Sequence, residues 1–446
     1  MTNRKLKAFV LTVCVLLGCL TGCAASDPDT TTATSAQIDV VDYAAAVKLD
    51  MNSATCKQEV TVKTYVDGDT VHFYVPETVM PGGVLKARFL AINTPESTGK
   101  IEEYGKAASN FTKNILQNAV SIILESDTDV WNADSTGGRY LVWVWYKTAQ
   151  SEDYRNLNLE ILQNGLAIAS NSGSNIYGSF AQSAIAQARA LKLNVHSGKA
   201  DPDFYYGEAI ELDLKELRTN IESYNGMKVA FNGIVTMNSN QTVYVEDYDS
   251  ETGLYYGISV YYGYGLNGDG IQILNMGNEV RIVGTVQYYE TGGTWQVSGL
   301  TYRSMKPKDP GNIQKLSEGH TPAYVLTNPA LFATGTVEVV TDETVTTLPY
   351  AQLAMSTSLR MENLRVVDVY TTNNEDSSSN GAMTLTCEAD GVTISIRTVV
   401  LLDANGNPVT ADAYLGKTID VKGIVDYFDG TYQIKVFSAN DITVHN

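Results

Sequence analysis

Asp67-Gly68-Asp69-Thr70, Arg88, Asn93-Thr94-Pro95-Glu96 and Arg139 form a set of residue types whose chemistries complement one another. A carboxylate such as Asp69 and carbonyl oxygens such as those of Asn93 and Thr94 are hard donors of the kind divalent cations take, with waters completing the shell. A carboxylate beside such a centre, Glu96, can draw a proton from water and direct the hydroxide. The planar fork of arginine matches phosphate and opposes the charge that builds on its equatorial oxygens in the transition state. Together these residues are a kit for phosphodiester cleavage. Taken singly each is ordinary: Asp-Gly makes turns, a lone arginine sits on a solvated face or in an ion pair, and Thr-Pro-Glu opens loops and helices. The four histidines, His72, His196, His320 and His445, are scattered and none has a HExxH or similar zinc spacing, which argues against a multi-histidine metalloenzyme.

The elements that must position this set are legible in the hydrophobic pattern. Val60, Val62 and Thr64 alternate before the Asp-Gly-Asp turn, and Val71, Phe73 and Val75 alternate after it, which predicts a hairpin. Residues 85–92, 120–124 and 140–146 read as further strands. Helices are predicted by Ala108, Phe111 and Ile115, by Leu159, Leu162 and Leu166 with Gly165 near the end, and by Phe180, Ala184, Ala188 and Leu191. Strands followed by helices describe an α+β unit on a small barrel, placed at residues 57–207. Beyond it the chain turns to strands, glycines and tyrosines. Residues 277–288 match residues 416–427 at a constant offset of 139, and each passage leads to a Gly-Thr-aromatic-Gln-aliphatic run at Gly293–Val297 and Gly430–Ile434. A fainter echo pairs 225–229 with 361–366. This is an internal duplication of all-β, OB-like barrels, read as 208–306 and 322–446 with a linker at 307–321.

The ordered blocks Asp67-Gly68-Asp69-Thr70, Arg88-Phe89-Leu90-Ala91-Ile92-Asn93-Thr94-Pro95-Glu96 and Glu103-Tyr104-Gly105-Lys106-Ala107-Ala108 resemble the staphylococcal nuclease (thermonuclease) family. So do Gly138-Arg139-Tyr140-Leu141-Val142, Asn164-Gly165-Leu166-Ala167 and Ala188-Arg189-Ala190-Leu191-Lys192-Leu193-Asn194-Val195, and the resemblance spans residues 58–200. It implies a five-stranded OB barrel with three helices, followed here by the two all-β barrels, and calcium-dependent cleavage of DNA and RNA to 3′-phosphate ends. Carried over by motif, Asp69, Asn93 and Thr94 would ligate Ca2+, Thr94 through its main-chain carbonyl. Glu96 would act as general base, and Arg88 and Arg139 would hold the phosphate. Three features depart from the family pattern. Asn93 stands where a second aspartate is usual, which removes a charge and implies a weak site working at roughly millimolar calcium. The Arg139 loop, Asp134-Ser135-Thr136-Gly137-Gly138, is one residue longer and lacks its tyrosine. Asn171 and Gly173 stand near the places of the tyrosines that contact nucleotide.

The N-terminus reads as an address. A basic Asn3-Arg4-Lys5-Leu6-Lys7 precedes thirteen largely apolar residues, too few to span a bilayer, and Leu20-Thr21-Gly22-Cys23 resembles the lipobox of bacterial lipoproteins. Residues 1–23 are therefore expected to be a signal peptide with Cys23 lipidated, and 24–56 a tether and extension, leaving the protein on the outer face of a cell membrane. Without Arg4, Lys5 and Lys7 the formal charge moves from -19 to -22. That excess disfavours a broadly basic nucleic-acid coat. Residues 57–206 carry 13 Lys+Arg against 16 Asp+Glu, so most of the negative charge, -15, lies after residue 206. Thirteen of 27 tyrosines fall between Tyr205 and Tyr302, where stacking of single strands or simple strand propensity both account for them. A catalytically weak or inactive binding or adhesion lipoprotein on the same fold stays open at this point, favoured by Asn93 and the altered Arg139 loop. Deleting everything after residue 207 would abolish function if the barrels do the work and spare it in a nuclease.

Overall fold

The computed structural model describes residues 39–445, apart from 264, 265, 267, 291, 342, 343, 375 and 376; Cys23 and the lipobox lie outside the described residues. Alternating apolar residues build the first barrel. β1 (Lys57–Tyr65) and β2 (Thr70–Tyr74) form the expected hairpin, with Val62 opposite Phe73 and a bulge just after Val62. β2 pairs antiparallel with β3 (Val84–Phe89), β1 with β4 (Ala119–Glu125), and β4 with β5 (Tyr140–Thr148). β3 and β5 then run parallel, Arg88 opposite Leu141, which closes five strands in the order 1-2-3-5-4. Inward Phe73, Leu85, Phe89 and Leu124 are fully buried or nearly so.

Three helices pack on this barrel, as expected, and a short helix α1 (Tyr43–Ala46) precedes it. Its Ala44 is buried, and Gln163, Gln187 and Arg155 bond to Val41, Asp42 and Ala44 around it. α2 (Gly105–Gln117) and α3 (Leu157–Gln163) bury Ala108, Leu116, Leu159 and Leu162, and Gly165 takes φ +66° just past α3, where a left-handed residue ends a helix. α4 (Gly178–Ala190) buries Ala184 and Ala188 as predicted, but not Phe180. Its buried ridge is Ala181, Ala184, Ile185 and Ala188, and Phe180 is 36% exposed. Small alanines let α4 approach closely, and the larger Phe180 falls one position outside that ridge.

The same closure recurs twice. β6 (Lys228–Ser239), β7 (Thr242–Asp249), β8 (Leu254–Tyr261), β9 (Glu279–Tyr289) and β10 (Thr294–Ser298) join in the order 1-2-3-5-4, with β8 parallel to β10. β11 (Ser358–Thr371), β12 (Met383–Ala389), β13 (Val392–Thr398), β14 (Thr418–Phe428) and β15 (Thr431–Val436) repeat it. The offset of 139 holds in space: Gly284 faces Val229 and Gly423 faces Leu359. Glycine is needed at both, because a Cβ would stand 2.6 Å from the Ser298 carbonyl or 2.5 Å from that of Lys435. The fainter echo was misaligned. The register makes Leu359 the counterpart of Val229, while Met361–Val366 lies farther along β11, across an irregularity that holds Asn363 at φ +59°. Short sequence likeness cannot fix register where a bulge inserts residues.

From Val40 onward the chain is a single unit, and the second and third barrels share buried contacts. Within the segment read as a linker, Gln314–Ser317 is a strand paired with β9, and the following hairpin sends Val339 into the second barrel's core. Glu246 of β7 is 1% exposed and accepts from Ser358 N (2.6 Å), Ser358 Oγ (2.8 Å) and Ala323 N (3.0 Å). Burial pushes its carboxyl above the ordinary value, outweighing those donors. Between the unfolded and the raised folded value the folded chain holds the extra proton, so this residue makes stability fall as pH rises from about 4.5. Glu246→Gln is expected to remove that slope in denaturant titrations at several pH values. Glu246→Ala, which leaves buried donors unpaired, is expected to cost on the order of 3 kcal/mol in the same measurement. Among the described residues no helix is long and apolar enough to cross a membrane.

Candidate active site

The Asp-Gly-Asp turn is packed from both sides. A Cβ on Gly68 would lie 2.9 Å from Ala108 Cβ and from Thr94 Cγ2, so only glycine lets α2 and the Thr94 segment close on it. Thr112 Oγ1 donates to the Gly68 carbonyl at 2.6 Å, tying the turn to α2. Asp69 is fully buried there. Its Oδ2 accepts from Thr94 N at 2.8 Å, and its Oδ1 accepts from Thr70 Oγ1 at 3.1 Å and from Arg88 Nη1. Arg88, opposite Thr70 in the sheet, sends its other guanidinium nitrogen Nη2 to Asn93 Oδ1. Burial lowers the Arg88 pKa from its usual value, a direction that still leaves the guanidinium protonated.

Asn93 reaches this point because Ile92–Asn93 is a short strand bonded to Ile168–Ala169, after a kink at Ala91 (φ +64°) whose carbonyl accepts from Ser170 N. Asn158, the buried amide of α3, supports the same kink by donating to Leu90 O at 2.9 Å. Glu96 follows at the solvent edge. Its N–H donates to Glu102 Oε2 (3.2 Å) and its carbonyl accepts from Glu102 N (2.9 Å), closing the 96–102 loop at its base. A Cβ at Gly105 would stand 2.1 Å from the Glu96 carbonyl oxygen. Gly105→Ala must therefore displace the Glu96 backbone, and it is expected to lower any Glu96-dependent turnover at least roughly tenfold in single-turnover assays. Partial burial, then the nearby Asp67 charge, pushes the Glu96 carboxyl above the usual carboxylate value.

Arg139 begins β5. Its guanidinium is near enough to that of Arg88 for the two charges to repel. Each feels the charge of Asp67, yet the Arg139 guanidinium is held by Asp134, Nε to Oδ2 at 2.8 Å, within the lengthened loop. The structure thus brings Asp69, Arg88, Asn93 and Thr94 into one hydrogen-bonded network with Glu96 beside it, and ties Arg139 to the rim. Sequence reasoning gave no role to Asp67. It is 7% exposed, accepts from Asp69 N at 3.1 Å, and is raised in pKa by burial against the pull of Arg88 and Arg139. Two carboxylates two residues apart about a tight turn were the available signal.

The oxygen set has the chemistry a hard cation takes: one carboxylate, one amide oxygen and one peptide carbonyl. Asp69 Oδ1 and Asn93 Oδ1, from separate elements, converge on a single cationic group, the guanidinium of Arg88. Asp69 and Asn93 thus fit a centre of positive charge, while Thr94 meets Asp69 through its N–H. Among the described residues no three His, Cys, Asp or Glu side chains gather at one point, so the site is no multi-carboxylate cage.

Residues 86–197 match the family model described as Staphylococcal nuclease homologue. The first barrel is an SNase-like domain. The match starts inside β3, so it takes in Arg88, Asn93, Thr94, Glu96 and Arg139 and leaves Asp67 and Asp69 outside. Between the SNase-like domain and the second barrel runs a cleft of about 690 Å³, reached from the 97–102 loop and lined by Tyr65, Asn110, Tyr261, Tyr288 and Gln296 among others.

Proposed function

We propose that the protein is an extracytoplasmic, calcium-dependent nuclease that hydrolyses phosphodiester bonds of DNA or RNA to 3′-phosphate products, held at the membrane by lipid on Cys23. The observation that carries this reading is the single network of Asp69, Arg88, Asn93 and Thr94 with Glu96 at its open edge, assembled from a turn, a strand and a loop. In this reading Asp69, Asn93 and the Thr94 carbonyl would hold a calcium ion, which when bound would supply positive charge beside the phosphate. Glu96 accepts the water's proton as the oxygen bonds to phosphorus. The bond from phosphorus to the 5′ oxygen breaks, and that oxygen takes a proton from solvent and leaves as a 5′-hydroxyl. Arg88 and Arg139 neutralise charge on the equatorial oxygens, which requires each to leave its carboxylate partner for phosphate.

The test is degradation of single- and double-stranded nucleic acid by the soluble form lacking residues 1–23. Cleavage in millimolar calcium, none in chelator, and 3′-phosphate ends are expected. A second reading, a nucleic-acid-binding lipoprotein without turnover, is favoured by one observation: both outer nitrogens of Arg88 already face Asp69 and Asn93. Binding without cleavage at several-fold extracellular calcium would establish it. Metabolic labelling with a radiolabelled fatty acid, lost in Cys23→Ser, tests the anchor.

A further inference from the structure

We infer that the second barrel is part of the candidate active site, because Gln287 and Ser298 are positioning residues that clamp the loop carrying Glu96. The inference rests on the nuclease reading for its catalytic consequence, though not for the clamp itself. The tip of the 96–102 loop, Gly99, engages the second barrel with both of its backbone groups. Gly99 N donates to Gln287 Oε1 at 3.3 Å, and the Gly99 carbonyl accepts from Gln287 Nε2 at 3.4 Å and from Ser298 Oγ at 2.7 Å. Ser298 Oγ also lies 2.7 Å from Gln287 Oε1, which fixes the amide in place. Both side chains sit on the outside of a barrel and are nevertheless buried, Gln287 at 5% and Ser298 at 0% exposure. Buried polar groups need partners, and here the backbone of another domain's loop supplies them. With its base closed by Glu96 and Glu102 and its tip held by the barrel, the loop is fixed at both ends. A nearby ion pair, Lys113 to Glu290, joins α2 to the end of β9 on the same side.

The duplication provides an internal control. Register places Asp426 and Lys435 of the third barrel at the positions of Gln287 and Ser298, since Gln287 pairs with Gln296 and Thr285 with Ser298, as Asp426 pairs with Gln433 and Ile424 with Lys435. In the third barrel these two residues face each other, Lys435 Nζ 3.6 Å from Asp426 Oδ2. The amide and the hydroxyl therefore belong to the barrel that meets the loop, and the OB framework itself does not require them.

The test uses the whole chain from residue 24, comparing wild type with Ser298→Ala and with the pair Gln287→Asp, Ser298→Lys, which installs the third barrel's residues on the same strands. Amide hydrogen exchange across 97–102 is expected to speed up roughly tenfold or more in the double variant and less in Ser298→Ala, with the barrel-core amides as the folding control. Turnover is expected to fall about tenfold in kcat with KM within about twofold, because a misplaced Glu96 affects chemistry more than strand binding. Unchanged exchange would overturn the clamp. Faster exchange with unchanged kcat would overturn its role in positioning Glu96. If the wild type cleaves nothing, the nuclease reading fails on its own, and the exchange result still decides the clamp. Truncation after residue 207 would, by this inference, slow the enzyme instead of sparing it.

Discussion

Glu96→Gln is expected to lower kcat for nucleic-acid cleavage by about 10²–10⁴-fold, the range for loss of a positioned general base. The amide keeps the size of the side chain and leaves untouched the backbone bonds to Glu102 that hold the residue in place. What it removes is the capacity to accept a proton. Because Glu96 lies at the solvent edge and outside the Asp69–Arg88–Asn93 network, the variant should retain wild-type stability and calcium affinity. That separation is the informative part. Rapid-quench kinetics and calorimetric calcium titration on the same preparation give both quantities. A fall below threefold would move the proton to another acceptor, and Asp67, buried close by, would be the next to replace.

Arg88→Met is expected to give changes of opposite sign. In calcium-free buffer it leaves the fully buried Asp69 carboxylate without its cation, and breaking such a pair costs about 3–5 kcal/mol. In calcium the balance reverses. The guanidinium sits on the same Asp69 and Asn93 oxygens that a cation would use, so removing it frees both and deletes a repelling charge. Calcium affinity is therefore expected to rise roughly tenfold, since a unit charge a few ångströms away is worth on the order of 1–4 kcal/mol. Cleavage is expected to be lost with the phosphate ligand. Thermal unfolding with and without calcium reads the first two effects: the variant should melt below wild type in chelator and recover most of the difference in calcium. Equal calcium affinities would show that Arg88 and calcium occupy separate places.

Much of this molecule could be read from residue order alone. Strands and helices of the first barrel followed from period-two and period-three-to-four alternation, and the repeated glycine of the second and third barrels marked a strand that each barrel crosses closely. The motif residues were legible because the turn, the strand and the loop each carry their chemistry within a few consecutive positions. The exposure of Phe180 on α4 was not, since which ridge is buried depends on the surface that receives it, and alanines signal that only weakly.

What only the tertiary structure decided is how the pieces meet. Sequence spacing places Asp69, Arg88 and Asn93 near one another in the chain. It does not reveal that closing β3 on β5 and pairing Asn93 with Ile168 aims both oxygens at Arg88. Nor does it show that Gly99, a loop glycine of one domain, is held by Gln287 and Ser298, nearly two hundred residues later. Local pattern encodes elements because neighbours along a chain share one backbone periodicity. Contacts between domains carry no such period, and their partners become known only once burial leaves each polar group a single place to find its hydrogen bond.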